Sequence, residues 1–385
     1  MGYSMACRRR AVRRHGGTGD AGSLGQRPPD GPRVNEHGYD NALEAMLRRL
    51  PIVAGQVGDR FPLYADPVSG EWMSTRRGSW TGGFWAGWWW LRAAVTGLPS
   101  DRATAREWTH RLAPRAADDT VTRGMTFWYG AVQGYRIGAD TPAHRVALDG
   151  ADALAGAFDG RLGLIPVGSA FGGGPALKAG VDALAGTVSL LGWAADAGRF
   201  DLAGLARSHA DRHVQLLVGG DGRIRPEVLL RPDGTPVDEP PASAVWARGQ
   251  AWGVLGLAAC ARQWGGDFTE AGCSAARWWL EQVGHTVPVA LLGRPATPVD
   301  TSAAVITAAG LLTLSEVTAD DGWAAAARAI VDSVIGHHLD DTGVLRDGCY
   351  ELAGGVGTRH ELVWGSFFLT AVLAVLTGRV REHPW

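Results

Sequence analysis

Two short stretches of the chain carry residues whose types and spacing suit work on an acidic sugar. In SAVWARGQAW, Arg248 stands between Trp246 and Trp252, with Gln250 close by. A guanidinium offers a planar fork to a carboxylate and an indole offers an apolar face to a sugar ring, so together they describe a uronate pocket. The plainer alternative is a structural ion pair for Arg248, with the Trp residues only packing. A cation at a helix start needs an anion to meet in either case. In AGVDALAGT, Asp182 stands beside Ala and Leu. Such surroundings raise a carboxyl pKa, which suits a proton donor near neutral pH. The alternative for Asp182 is a helix N-cap. Asp300, in PVDTSAAVI, faces the same choice, and capping suits it better.

These residues fall at equivalent points of an internal repeat. Six segments begin near Trp80, Gly124, Asp182, Trp246, Asp300 and Trp364, and each runs from a polar or Trp start through small residues into an apolar stretch. Their starts lie about 44 to 64 residues apart, the length of two helices and two loops. Each is apolar nearly all round, as a helix enclosed by others should be. Between them, stretches such as LAGLARSHADRHVQLL and DGWAAAARAIVDSVIGHHL repeat apolar residues every three or four positions with charges between, which predicts outer helices with one wet face. With YDNALEAMLRRL ahead of the first inner segment, the pattern predicts twelve alternating helices. The fold class is all-α, an (α/α)6 barrel of six helical hairpins spanning residues 39–385, and an open solenoid is the alternative. Loops leading into the inner helices then converge on one mouth, where Trp80, Phe84, Trp128, Trp246, Gln250, Trp252 and Trp364 are expected to line a sugar-sized cleft around Asp182 and Arg248. The stretch DGRIRPEVLLRPDGTPV, with turn signals at both ends, predicts a small hairpin beside it.

Composition narrows the class. A hydrophobic share of 46% with 20% charged residues is globular, and a formal net charge of −2 gives no basic field for nucleic acid. The 17 Trp and 55 Gly among 385 residues fit aromatic walls and close helix packing. Four cysteines without CxxC spacing indicate neither a zinc site nor a disulfide framework, which fits a reducing, cytoplasmic location. No membrane span is expected, because Gly, Arg and Asp interrupt every apolar run. The Arg-rich residues 1–38 read as a disordered N-terminal tail.

The motifs WTGGFWAGWWWL, GMTFWYGAVQGYR, VDALAGTVSLLGWA, WARGQAWGVLG, DTSAAVITAAGLL and LVWGSFFLTAVL, in that order, resemble the unsaturated glucuronyl hydrolases, glycoside hydrolase family 88, over roughly residues 40 to 380. The resemblance implies an (α/α)6 barrel and hydration of the C4=C5 vinyl ether of an unsaturated uronyl sugar. In that chemistry an aspartic acid protonates C4, water adds at C5, and the hemiketal opens to release the remaining sugar. The resemblance maps Asp182 onto the general acid and base, and Arg248 and Trp252 onto contacts of the unsaturated sugar. The implied partner is a small oligosaccharide or acidic sugar, and no metal or organic cofactor is implied.

Three departures fall on the expected site. Where the family carries a His-Asp pair ahead of the second inner helix, this chain has Arg123 and Gly124. Arg225, Pro226 or Glu227 stands where a substrate-contacting His is expected, and Ser366 replaces the Asp of a WGD motif. Asp118, Asp119 or Glu227 are candidates for a replacement carboxylate, against the reading of solvated loop charge. The alternative function is a repurposed sugar-binding relative without turnover. Epimerisation, which needs paired His bases, has little support, because His209, His213, His285, His337, His338 and His360 mostly fall on outer-helix or loop patterns.

Overall fold

The computed structural model describes residues 36–170, 177–238, 243–352 and 354–385, all within one unit, Pro32–Trp385. Of the stretch read as an N-terminal tail, residues 1–35 lie outside the described residues.

In chain order the elements are α1 (Glu36–Val57), β1 (Phe61–Ala65), β2 (Trp72–Thr75), α2 (Gly82–Thr96), α3 (Pro99–His110), α4 (Arg123–Phe127), a π-helical turn (Trp128–Val132), α5 (Gln133–Gly138), α6 (Thr141–Ala155), β3 (Lys178–Gly180), α7 (Leu184–Asp196) and α8 (Leu202–Leu217). The second half adds β4 (Glu227–Leu229), β5 (Val245–Trp246), α9 (Ala247–Trp264), α10 (Asp267–Val283), β6 (Leu291–Leu292), α11 (Thr301–Thr318), α12 (Asp321–His338), β7 (Gly348–Glu351), β8 (Val356–Leu362) and α13 (Val363–Leu376). Because α4, the π turn and α5 are continuous, these are twelve helical rods among the described residues, alternately outer and inner. The inner rods touch in the order α2, α4–α5, α7, α9, α11, α13, and α13 returns to α2. The ring is therefore a closed (α/α)6 barrel, as the repeat predicts.

Small residues set the spacing of the inner rods. A Cβ on Gly83 would sit 2.6 Å from the Thr126 carbonyl, one on Gly186 would sit 2.7 Å from the Met125 amide, and one on Gly310 would sit 3.1 Å from the Leu255 amide. Their helix-propensity cost is offset by backbone-to-backbone packing around the ring. Outer rods start on side-chain caps: Asp140 accepts from the Ala143 amide at 3.0 Å to begin α6, and Asp320 accepts from the Gly322 amide at 2.9 Å to begin α12.

Three features depart from the sequence reading. First, α11 is long and apolar enough to cross a membrane, contrary to the expectation that no run would be. It is an inner rod, and 78% of that stretch is buried inside the fold. Second, a four-stranded antiparallel sheet, ordered β2-β1-β8-β7, was not anticipated. It joins the first hairpin to the last, with Tyr64 opposite Leu362 and Ala65 opposite Glu361. A buried Arg49–Glu361 pair at 2.7 Å ties α1 to the same strand, so the sheet fastens the seam where the ring closes. Third, the expected hairpin in residues 221–237 is only partly local. Tight turns are closed by Val218–Ile224 and Leu230–Pro236 bridges, while β4 pairs with β3, with Gly180 opposite Glu227.

Candidate active site

Short strands deliver the polar residues to the mouth where the inner rods begin. β3 runs into a single 3-10 turn, Val181–Ala183, that carries Asp182, and α7 follows with Ala183 at its N-cap position. The Val181 amide donates to the Pro226 carbonyl at 2.9 Å, fixing the turn against the β4 strand. Beneath β3, His209 and His213 of α8 lie with ring centroids 4.0 Å apart and planes tilted by 38°, and His213 Nδ1 lies 2.8 Å from the His209 carbonyl. Asp182 is half-buried, between the buried Val181 and Ala183. Burial pushes its carboxyl up to about 6, against the pull of Arg248; Glu227 reinforces the rise and Lys178 opposes it.

Arg248, on the first turn of α9, is 5% exposed. Its Nη1 donates to Asp300 Oδ2 at 2.6 Å and to the Cys349 carbonyl, and its Nη2 donates to the Tyr350 carbonyl at 2.6 Å. Three of the five guanidinium N–H groups are thus held by protein. The guanidinium also lies over the rings of Trp246 and Trp364, at 4.8 and 5.6 Å. Asp300 is fully buried and caps α11: its Oδ1 accepts from the Ser302 amide at 3.1 Å, the Ser302 hydroxyl at 2.6 Å and the Cys349 amide at 3.2 Å. A cation at the start of α9 is tolerated because this carboxylate and two carbonyls meet it.

Aromatic rings frame the group. Trp80 lies against Trp364 at 4.7 Å and stacks on Tyr350 with an interplanar angle of 9°, and Tyr64 lies 5.3 Å from Tyr350. Below them Phe84 stacks on Tyr129 and contacts Trp252 and Phe368, a buried floor that fills the middle of the barrel. Tyr64 and Tyr350 were missed because both sit on strands of the unanticipated sheet. The turn-rich stretch DDTGVLRDGCYELAGG was the available signal for the second.

Two of the expected contacts lie elsewhere. Gln250 is fully buried, accepts from the Ile224 amide at 2.8 Å, and donates to the Gly222 and Ala275 carbonyls at 2.9 and 3.2 Å. Its amide fastens a tight turn to α9 and α10, and both of its N–H groups are used there. Trp128 opens the π turn, lies under Arg136 at 5.4 Å, and lines a cavity of about 630 Å3 at the opposite mouth, among the ends of α7, α9 and α11. Membership of an inner rod was legible in its sequence position; which end of the rod its ring would reach was not.

No family model matches the chain. The unsaturated glucuronyl hydrolase of Bacillus sp. strain GL1 is 29% identical over 353 residues, covering 83% of this chain and 92% of that protein. The crystal structure of the Bacillus sp. GL1 enzyme, described as responsible for the degradation of glycosaminoglycan, has a TM-score of 0.80 at 25% identity, over 90% of this chain and 99% of that one. A related structure with dGlcA-Glc-Rha-Glc gives a TM-score of 0.82 at 25% identity, over the same shares of the two chains. The chain is a divergent relative of the unsaturated glucuronyl hydrolases. An unsaturated glucuronyl hydrolase specific for heparin shares the fold, with a TM-score of 0.82 at 19% identity over 91% of this chain and 99% of that one.

Among such relatives, the departures at Gly124 and Ser366 acquire a structural form here. A Cβ on Gly124 would lie 2.5 Å from Thr187 Oγ1 and 2.7 Å from the Thr187 amide nitrogen, so α4 meets α7 backbone to backbone where the resemblance expects a carboxylate. Ser366 is fully buried, and its hydroxyl has no hydrogen-bond partner among the described residues.

Proposed function

We propose that this chain is a glycoside hydrolase that hydrates the C4=C5 vinyl ether of an unsaturated uronyl or related acidic sugar, with Asp182 as general acid and base. The observation that carries this reading is Asp182 itself: half-buried on the turn between β3 and α7, not the cap of its helix, and titrating at about 6 because of burial. A protonated Asp182 donates to C4, positive charge develops at C5 and the ring oxygen, and water adds at C5 while returning a proton to the Asp182 carboxylate. The resulting hemiketal opens and releases the remaining sugar. Two N–H groups of Arg248 beyond the three bonded among the described residues, together with the Trp246, Trp80 and Tyr350 rings, suit the substrate carboxylate and sugar faces. The three described cysteines are free, which supports a cytoplasmic setting.

The test is a panel of unsaturated disaccharides followed by the ultraviolet absorbance of their double bond. Absorbance should fall with wild-type protein and stay level with Asp182→Asn. Unchanged absorbance with wild type across the whole panel overturns the proposal. One observation favours a second reading, a sugar-binding relative without turnover: the close packing at Gly124 leaves no room for the family's other carboxylate. Under that reading the same disaccharides bind, by calorimetry, without loss of absorbance.

A further inference from the structure

The tight contact at Gly124 raises the question of where a second negative charge comes from, and the β3–β4 pair supplies one. Glu227 stands directly opposite Gly180, two residues before Asp182, and opposite residues of an antiparallel pair share a face. Val228, the next residue, is buried, so Glu227 is on the open face of the strand. Lys178, two residues before Gly180, lies on that same face and binds Glu227 Oε2 through Nζ at 2.7 Å. The Val181–Pro226 hydrogen bond holds the two strands in this register up to the turn that carries Asp182.

We propose that Glu227 is the positioning carboxylate of the site, a charge that acts through Asp182 in place of the side chain that position 124 lacks. This rests on the reading of Asp182 as the proton-transfer group. Two neighbouring carboxylates resist being ionised together, so an anionic Glu227 keeps Asp182 protonated before donation. Once Asp182 has given its proton to C4, the same repulsion makes its carboxylate a stronger base toward the water that adds at C5. Glu227 itself exchanges no proton in this scheme, and its carboxylate stays paired with Lys178 Nζ at 2.7 Å. Negative charge on this face also stabilises the positive charge developing at C5. The charged groups acting on Asp182 from the packed elements are Arg248 of α9, Lys178 of β3 and Glu227 of β4. From α8 below, His213 is kept neutral by burial near neutral pH.

The experiment titrates the Asp182 carboxyl by 13C NMR in full-length wild type, Glu227→Gln, Glu227→Asp and Lys178→Met, with the pH dependence of kcat/KM measured alongside. Both changed side chains are solvent-accessible, so the barrel should tolerate them. Glu227→Gln should lower the Asp182 midpoint by about half a pH unit or more, and Lys178→Met should raise it. Glu227→Asp should restore most of the wild-type value, and the limb of kcat/KM should move with the NMR midpoint. An Asp182 midpoint unchanged in Glu227→Gln overturns the inference. A midpoint that moves in a protein with no turnover sinks the hydrolase reading instead, so the two failures are distinguishable.

Discussion

Arg248 and Asp300 are joined at 2.6 Å between Nη1 and Oδ2, in a pair that ties the start of α9 to the start of α11. The same carboxylate caps α11 and accepts from the Cys349 amide, so one side chain orders two inner rods and the β7 strand. Asp300→Ala leaves a buried guanidinium without its counter-charge and should cost about 3–5 kcal/mol. Asp300→Asn retains an oxygen for the cap and should cost less. Urea unfolding of both variants checks this, and an Asp300→Ala midpoint equal to wild type would show the pair to be structurally idle.

Asp182 links stability to pH in a defined direction. Its folded pKa is about 6 against an ordinary 3.8, so folding favours the protonated acid. That stabilisation is full below pH 3.8 and is lost as pH rises through 6. Asp182→Asn escapes the loss, so its stability should gain on wild type between pH 4 and pH 7 by up to about 3 kcal/mol and change little beyond. Chemical denaturation at several pH values measures the difference. A constant offset between the two proteins contradicts it.

At Gly124 the prediction concerns packing. Its Cβ position lies within 2.5 Å of Thr187 Oγ1 and 2.7 Å of the Thr187 amide nitrogen. Gly124→Ala should destabilise by about 1–3 kcal/mol through overpacking, and Gly124→Asp by more. Thr187→Ala should rescue only part of either loss, because the backbone contact remains. Melting temperatures of the single and double variants test this, and full rescue by Thr187→Ala would place the clash on the hydroxyl alone.

Acid should weaken the fold through its buried histidines. Burial lowers His213 from 6.5 to about 4, and holds its neighbour His209 well below 6.5. The unfolded chain therefore takes up protons that the folded chain refuses. Stability from these groups is full above pH 6.5 and falls on acidification toward 4, by about 1.4 kcal/mol per pH unit for each histidine. His383, also lowered to about 4 by burial, adds to the slope. His213→Gln should flatten the decline in urea midpoint between pH 6.5 and 5, and an unaltered slope would refute the linkage.

The sequence by itself determined the barrel. Six apolar, Gly- and Ala-rich segments alternate with amphipathic ones at two-helix spacing, and the inner rods begin within two residues of the expected starts, as at Trp364 within α13 and Asp300 capping α11. Helical periodicity is local, so it is written in consecutive residues. The aromatic and acidic character of the mouth was legible for the same reason, since the starts of the inner rods could be found.

Tertiary structure alone decided what each polar group meets. β1 and β8 are nearly 300 residues apart in sequence, and the short β7–β8 pair offers too little alternation to reveal itself, so Tyr64 and Tyr350 stayed hidden until the seam closed. Gln250 and Trp128 looked like mouth residues but face a tight turn and the opposite mouth, because side-chain direction depends on rotamer and on neighbours from other rods. Arg248 met a carboxylate 52 positions away, and Glu227 came to face Gly180 across a strand pair, through contacts that no local pattern encodes.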